Sequence, residues 1–586
     1  MTSATQTDGH GRSQIVMVDN EEPRQNEPTE RTSLFGAGAE QIDDEDNDNG
    51  KPQDEFEGVP AWRRPTVWWL LGPYLLFTLA FGGSIVPKID AIITLICRRY
   101  FAEQQINNPD MVFAPVIIGG NNPQCNSAPV QKLVAAFTLV LSSLTGGLSA
   151  LIAPALGSLS DRYGRKRLLV VASCGGIINE IIVILAVKYP DMVDYRFLVL
   201  GSFFDGITGS FTAGSILATS YVSDCTPPSR RGVAIGYLQA CLFTGLALGP
   251  YIAAQFVELT GSLLSIFYVT VGCHIFGVFF FWFVLPESLS SKRQTAAREK
   301  HKAEQDMIDR ALPDYASRIL GPSLVTWMAN RRIDTWLSIL LSANPLAPLK
   351  LFFPSGRANR ALRRNLLLMA FIDTVLMSGA MGAGTVLLLY GKYMFNWGTL
   401  ESSRFISIVS FCRVVVLLGI FPTLNYFFRI RPLRRRQEAS GNVDAIETQS
   451  GADNLDVWLI RLALVTDFAG VMGYVFVRTE ELFILSAVCT SLAGLAQATL
   501  SSSVTKQIPA ERVGAMLGAM GLLHALSRVF APMIFDGIYA GTIETFPQTF
   551  IVVLASLFAL ALISSVFLRP HLFLQEEGYI RVVCCD

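Results

Sequence analysis

Charged residues are scarce in this chain. Asp, Glu, Lys and Arg together make up 16% of the 586 residues, and hydrophobic residues make up 51%, whereas an average soluble domain is about one-quarter charged. A soluble protein of this length would not have enough interior to bury so much apolar surface. We therefore expect much of that surface to face lipid.

A surplus of basic residues is also lacking. Lys and Arg number 47 against 48 Asp and Glu, so we expect no nucleic-acid partner, since such proteins neutralise phosphates with excess positive charge. The ten cysteines form no CxxC pair and no His/Cys cluster with zinc spacing, which argues against a metal site. The P-loop and the GxSxG serine motif are missing too, so we predict no enzyme, no catalytic residues and no cofactor.

Long apolar runs are what the sequence has instead. A membrane-spanning helix needs about 20 apolar residues, and twelve runs of roughly this length alternate with polar segments. They cover 67–92, 133–156, 168–187, 197–222, 233–257, 263–285, 365–389, 405–428, 457–477, 482–504, 513–535 and 550–568. The predicted fold is an all-α, multi-pass membrane protein with twelve transmembrane helices in two six-helix halves.

The polar segments divide the chain into five parts. We predict a disordered N-terminal tail at 1–60, which is rich in Gln, Asn, Asp and Glu and lacks the apolar core of a signal peptide. The two six-helix bundles are assigned to 61–286 and 364–569. A tethering central linker at 287–363 joins them, and a C-terminal tail follows at 570–586.

Four basic loops determine the predicted orientation. Lys and Arg concentrate in the short loops at 161–167, 225–231, 429–436 and 506–512, and these loops alternate so that all four share one side. Because short basic loops stay in the cytoplasm, both termini and the central linker are predicted to be cytoplasmic. The pattern does not distinguish the plasma membrane from a vacuolar or other internal membrane.

Two cysteines lie on either side of the longest predicted external loop. A disulfide between Cys97 and Cys125 is chemically feasible there, because the outer side of a cell membrane is oxidising. From the sequence alone, two free thiols are the expected state.

The two halves of the chain repeat each other. A shift of 282 positions places Pro227 on Pro509 and Gly232 on Gly514, with three further matches in the same register. Transporters built from parallel repeats, related by an axis along the membrane normal, show internal symmetry of this kind.

The most specific local signal is the loop 157–167, which reads GSLSDRYGRKR. Its two glycines permit backbone geometries closed to other residues, and Asp161 can accept hydrogen bonds from a helix N-terminus or from an arginine. The pattern resembles, position by position, the loop signature of the major facilitator superfamily. That resemblance implies a cytoplasmic latch that holds the two halves together in one access state. Its members here are Gly157, Asp161, Arg162, Gly164, Arg165 and Lys166.

A second pattern lies in the fifth predicted span. Gly245, Gly249 and Pro250 place small residues four apart beside a proline, which favours a hinge or a tight packing seam between helices. The arrangement looks like the glycine-proline motif of the family's antiporters, with Ala253 in place of a usual glycine.

Three further segments narrow the resemblance. They are 205–209, 221–231 and 392–397. Together they resemble the branch of the superfamily that contains tetracycline-resistance exporters and proton-coupled folate-type carriers.

Ionisable residues inside the predicted spans are few, and each is costly unless paired. Besides His274 and His524, they include Glu180, Asp205, Asp373, Arg413, Asp467 and Arg528. Glu180 and Asp205 are the predicted proton carriers, because burial favours the protonated form of a carboxylic acid. The other four are candidates for substrate binding or for ion pairs.

Two hypotheses concern the residues of the second half. Asp373 and Arg413 reach a similar depth in the membrane and are predicted to form an ion pair, with a purely structural role as the alternative. Arg413 and Arg528 also offer a guanidinium fork to an acidic solute.

Together these features predict a secondary active transporter that moves a small solute by alternating access, with protons as the coupling ion. The expected partners are a small-molecule solute, protons and the lipid bilayer, and the chain is expected to act as a monomer. Two alternatives stay open: a sensor or receptor of the same fold that binds solute without moving it, and a drug:proton antiporter. Neither the substrate nor the direction of transport can be read from the sequence.

Overall fold

The described part of the chain is almost entirely helical. The computed structural model describes residues 60–107, 114–117, 122–303, 306, 347–354, 356–395, 397, 399–440 and 451–574, and these residues form no strand. The predicted N-terminal tail before Pro60, most of the central linker and the end of the C-terminal tail lie outside the described residues.

Seven helices form the six membrane spans of the first half, because the fourth span is broken in two. They are α1 (Val67–Asn107), α2 (Ala128–Tyr163), α3 (Arg165–Lys188), α4 (Leu198–Ile207), α5 (Ser210–Cys225), α6 (Pro228–Thr260) and α7 (Leu264–Phe279), the last of which ends in a π-helical turn at Phe280–Val284.

The second half also contains six spans, several of which are interrupted. The seventh is α8 (Arg360–Ser378), a π-helical turn at Gly379–Ala383 and α9 (Gly384–Phe395). The eighth is α10 (Thr399–Val415), α11 (Phe421–Asn425) and α12 (Arg431–Ser440), joined by π-helical turns at Val416–Ile420 and Tyr426–Ile430. The last four are α13 (Asn454–Phe476), α14 (Glu480–Thr490) with α15 (Gly494–Lys506), α16 (Val513–Thr542) and α17 (Thr549–Val566).

Eleven helical segments among the described residues are long and apolar enough to cross a membrane. The fourth span is the twelfth, and it is divided at Thr208 and Gly209 into helices of 10 and 16 residues. Gly209 has φ +86° and Ser210 has φ +52°, a left-handed geometry that ends one helix before the next begins. The predicted twelve-helix plan is thereby confirmed.

The two halves meet most extensively where α2 packs along α16, and within the first half α1 lies along α6. Large apolar side chains remain exposed on the outside of the bundle. Examples are Trp282, Phe283, Phe530 and Ile563. A soluble protein would seldom leave so many exposed, whereas acyl chains cover them at no cost.

A disulfide joins Cys97, near the end of α1, to Cys125, just before α2, with the two Cα atoms 5.4 Å apart. Both cysteines are buried in an apolar cluster that includes Val130 and Val187. The expectation of two free thiols is therefore wrong. Because α1 continues beyond its predicted end at 92, it carries Cys97 to the start of α2, a proximity that the apolar run alone does not reveal.

We expect the double substitution Cys97→Ser and Cys125→Ser to destabilise the protein. A bond across a sequence separation of 28 residues restricts the unfolded chain by about 3 to 4 kcal/mol, so the midpoint of thermal unfolding should fall. As a control, Cys174→Ser with Cys489→Ser removes two exposed free thiols and should leave the midpoint unchanged. Equal midpoints for the parent chain and the disulfide variant would refute the stabilising role.

Candidate functional site

The junction between the halves begins with glycines at the end of the molecule that carries the basic loops, which we call the basic-loop end. Gly157 on α2 faces Gly514 and Gly518 on α16. A Cβ atom on Gly157 would lie 2.8 Å from the Cα atom of Gly518, so only glycine allows the two helices to approach this closely. The backbones of the two halves are therefore in direct contact here.

Asp161 turns this contact into a hydrogen-bonded junction. Its carboxylate, in the last turn of α2, accepts the N–H of Gly514 at 2.9 Å and the N–H of Ala515 at 2.7 Å. Both amides belong to the first turn of α16, where N–H groups lack partners within the helix and the helix dipole favours a negative charge. Asp161 of the first half thus caps a helix of the second half.

Arg165 forms an ion pair with Asp161. Its side chain is fully buried, with Nη1 2.7 Å from Asp161 Oδ1 and Nε 2.9 Å from Asp224 Oδ2. A buried guanidinium needs such partners, since an unpaired buried charge is strongly destabilising. We call Asp161, Arg165, Asp224 and the N–H groups of Gly514 and Ala515 the latch.

The other predicted motif residues lie around the latch. Arg162 donates from Nε to the carbonyl oxygen of Ser158 in its own helix at 3.2 Å. Gly164 has φ +94° and forms the sharp turn between α2 and α3. The structure therefore brings Asp161 and Arg165 into the junction, while Arg162 and Gly164 shape the loop that presents them.

Glu287, at the start of the linker, is a member of this site that the sequence does not predict. Its carboxylate accepts the N–H of Arg165 at 2.8 Å and that of Lys166 at 3.2 Å. Burial raises the pKa of the Glu287 carboxyl above its ordinary value, and these amide groups oppose that shift. Arg298 Nε also donates to the carbonyl oxygen of Arg162 at 2.8 Å. The first part of the linker thus does more than tether the halves, and its only sequence signal is an acid directly after the sixth span.

A second charge cluster lies at the basic-loop end of the second half. The carboxylate of Asp456 accepts hydrogen bonds from Arg429 Nη2 at 2.6 Å and from Lys506 Nζ at 2.7 Å. All three side chains are buried. Beside it, Asn425 Nδ2 donates to the carbonyl oxygen of Ser229 at 3.1 Å. Because Ser229 begins α6, this cluster also reaches the first half.

A cavity of about 170 Å³ lies among the helices of the first half. Aromatic rings form part of its wall: the rings of Phe81 and Phe211 stack with centroids 4.7 Å apart, and Phe77 meets His274 edge-on at 5.4 Å. His274 Nδ1 has no hydrogen-bond partner among the described residues. Apolar pockets with a few convergent polar groups are the usual form of a small-molecule site.

The two predicted proton carriers both line this cavity. Lys88 Nζ lies 3.4 Å from Glu180 Oε1, and the second oxygen of Glu180 has no hydrogen-bond partner among the described residues. Asp205 accepts the hydroxyl of Ser210 at 2.7 Å, across the break between α4 and α5. The helix break therefore brings a hydroxyl group to the carboxylate.

Arg528 connects the second half to the same cavity. Its guanidinium carbon lies 5.6 Å from the centroid of Phe211, and the side chain is attracted electrostatically to Asp205. Arg528 belongs to α16, the helix whose first turn Asp161 caps. One helix thus runs from the latch to the cavity.

The structure corrects the predicted pairing of Asp373 with Arg413. Asp373 on α8 contacts His524 Nε2 on α16, and the guanidinium of Arg413 lies 4.8 Å from the centroid of Phe243. The charge that attracts Arg413 is the buried carboxylate of Asp467. The pairing was inferred from depth in the membrane, and depth does not specify which face of a helix a residue occupies.

Gly245, Gly249 and Pro250 lie where α6 packs against α1. A Cβ atom on Gly249 would lie 2.6 Å from the backbone nitrogen of Gly83, so the close approach requires glycine. Since both helices belong to the first half, the motif forms a packing seam within one bundle.

Comparisons with known proteins agree with this architecture. Residues 112–436 match the family model of the Major Facilitator Superfamily. The chain is 28% identical over 507 residues to the MFS-type transporter avaJ of Aspergillus versicolor, covering 86% of this chain and 89% of that protein. It is 21% identical over 428 residues to the class H tetracycline resistance protein of Pasteurella multocida, covering 73% and 86%. The human organic anion transporter MFSD10 has a similar fold, with a TM-score of 0.57 at 16% identity, over 86% of this chain and all of that structure.

Asp161→Asn should open the basic-loop end. The substitution removes an acceptor and the charge beside Arg165, and losing about 1.5 kcal/mol from the closed state raises the open population about tenfold. The readout is alkylation of Leu517→Cys, a position buried between the halves, in a chain whose other free cysteines are replaced by serine. We expect alkylation to be about tenfold faster in the Asp161→Asn variant.

The matched control for this experiment is Asp191→Asn. Asp191 forms an exposed ion pair with Arg98 at the opposite end of the molecule, so its loss should leave the alkylation rate unchanged. Equal rates in the two variants would contradict a latch at Asp161.

Asp456→Asn should destabilise the second half. The substitution leaves Lys506 buried without its counter-charge, whereas Arg429 keeps Asp453 at 3.0 Å from its Nε, and an unpaired buried charge costs about 3 to 5 kcal/mol in comparable cases. Unfolding in detergent micelles would measure the loss, and adding Lys506→Met should restore part of it. Glu480→Gln, at an exposed position, is the control. A loss as small as that of the control would rule out the cluster as a structural centre.

Proposed function

The chain belongs to the major facilitator superfamily, and we propose that this membrane transporter is a proton-coupled secondary carrier that moves a small solute by alternating access. In this scheme the cavity of the first half binds the solute, Glu180 and Asp205 carry the proton, and the latch closes the basic-loop end.

The observation that carries the proposal is the position of Glu180 and Asp205 in one aromatic cavity. Acids inside a membrane protein are costly and mark ion pathways and proton relays. Among the described residues, Glu180 has one hydrogen-bonding partner, Lys88, and Asp205 has one, Ser210. A carboxylate with so few hydrogen bonds can gain or lose a proton without disrupting many other hydrogen bonds.

A route from the proton site to the latch supports coupling. Asp205 attracts Arg528 electrostatically. Arg528 lies on α16, the helix whose residues Gly514 and Ala515 donate backbone hydrogen bonds to Asp161. Protonation of Asp205 removes that attraction and so alters the force on α16. Both the proton and the latch therefore act on one rigid element, which is what energetic coupling requires.

The cavity wall favours a solute with a flat apolar part. The rings of Phe77 and Phe81 both stack on Phe211 and offer π-faces, which prefer planar partners. Lys88, Glu180 and Asp205 line the same cavity, so a polar group of the solute can meet both donors and acceptors. The similarity to a tetracycline resistance protein favours export as the direction, in keeping with the drug:proton antiporter alternative.

The position of the disulfide supports the proposed orientation. Cys97 and Cys125 lie at the end of α1 and before the start of α2, opposite the basic-loop end. Disulfides persist in oxidising compartments, whereas basic loops remain in the cytoplasm. Both tendencies favour termini on the cytoplasmic side.

The test is proton flux in liposomes. The purified full-length protein is reconstituted with an internal pH dye, and pools of small aromatic and acidic solutes are added one class at a time. We expect one pool to trigger a pH change, and Asp205→Asn to abolish it while sparing exchange of solute for solute, because exchange needs no net proton movement. Glu180→Gln should behave in the same way.

The control is Asp90→Asn, an exposed acid on α1 that does not line the cavity, and it should retain the pH change. Retention of solute-driven flux in Asp205→Asn would remove that residue from the mechanism. Thermal stabilisation by a solute without any flux would favour the sensor alternative.

A further inference from the structure

Five arginines line one groove at the basic-loop end of the second half. The groove has a volume of about 610 Å³. Its arginines are Arg357, Arg360, Arg363, Arg364 and Arg569, and its apolar floor includes Leu367 and Leu368. No acidic residue of the described chain lines it.

Two distant segments bring these arginines together. Arg360, Arg363 and Arg364 lie in the first turns of α8, where side chains three and four residues apart are neighbours. Arg569 follows the end of α17, and its backbone N–H donates to Asn365 Oδ1 at 3.0 Å. Membrane proteins generally carry Lys and Arg in their short cytoplasmic loops, which explains why basic residues occur at the ends of these spans. That tendency does not require the ends of two spans to meet at one groove.

The groove carries charge that the described residues do not compensate. All five arginines are exposed, and like charges that share one groove repel one another, a repulsion that a bound anion relieves. A guanidinium presents two parallel N–H donors that fit a phosphate group. The groove is therefore suited to bind an anion that carries a phosphate group.

The apolar floor indicates what else that anion carries. Leu367 and Leu368 lie about one helical turn beyond the arginines, toward the membrane interior, and Leu367 is 37% exposed. The groove thus changes from charged to apolar along α8, at the point where the seventh span begins and the twelfth ends. A lipid changes from headgroup to acyl chain at the same level.

We propose that this groove binds an anionic phospholipid, with the phosphate among the arginines and the first acyl segments on Leu367 and Leu368. Basic pockets between transmembrane helices on the cytoplasmic side are suited to such headgroups. The bound lipid joins the ends of α8 and α17 and neutralises the groove. This site is separate from the transport cavity, and it does not depend on which solute is carried.

Native mass spectrometry of the full-length, delipidated protein in detergent micelles tests the proposal. The protein is titrated with phosphatidylglycerol and, separately, with phosphatidylcholine. We expect one phosphatidylglycerol to bind more tightly than any phosphatidylcholine. The double variant Arg360→Gln with Arg364→Gln should weaken that binding by more than tenfold, since each arginine near an anionic lipid contributes about fivefold.

The matched control is Arg435→Gln with Arg436→Gln, which removes the same charge from exposed positions of α12 outside the groove. It should leave phosphatidylglycerol binding unchanged. Arg360→Lys with Arg364→Lys keeps the charge and should retain most of the binding, which guards against a fold defect in the glutamine variant.

Two outcomes overturn the proposal. The first is equal phosphatidylglycerol binding in the glutamine variant, the control and the parent chain. The second is that glycerol 3-phosphate, which has the headgroup phosphate without acyl chains, displaces the lipid at the same concentration as phosphatidylglycerol itself. In that case the groove takes a soluble phosphate and not a lipid.

Discussion

The junction between the two halves depends on one buried arginine. Arg165 must be neutralised by Asp161 and Asp224, and these acids come from the second span and the second part of the fourth. Arg165 in turn contacts Asp161, which accepts hydrogen bonds from two amide groups of the opposite half. Because a partly assembled buried network is worse than none, this junction is expected to close or open as a unit.

One member of a buried ion pair in each half lies at a position matched by the internal repeat. The shift that superposes Pro227 on Pro509 places Asp224 on Lys506. In the first half, the acid Asp224 forms an ion pair with Arg165. In the second half, the base Lys506 forms an ion pair with Asp456. The two matched positions thus both belong to buried ion pairs, and they carry opposite charges. Only the first of the two clusters reaches across to cap a helix of the other half.

The sequence predicted those features that depend on local pattern. Apolar run lengths predicted the twelve spans, and the family resemblance pointed to the loop that contains Asp161 and Arg165. The partners of buried groups were not predictable, because they depend on which helix faces meet. Asp224, Glu287 and His524 are each far along the chain from the residue they contact. The same reason explains the incorrect pairing of Asp373 with Arg413 and the unexpected bond between Cys97 and Cys125.

The break in the fourth span has a consequence for how the protein is made. The helices α4 and α5 have 10 and 16 residues, or about 15 Å and 24 Å, and neither alone crosses a hydrocarbon layer of about 30 Å. At the break, Gly209 and Ser210 adopt a left-handed backbone geometry that interrupts the helix. During synthesis this segment therefore gains its native shape only against neighbouring spans that have already entered the bilayer. Substitutions in α3 that loosen its packing on the break should then appear as losses of membrane-inserted protein before any change in transport is seen.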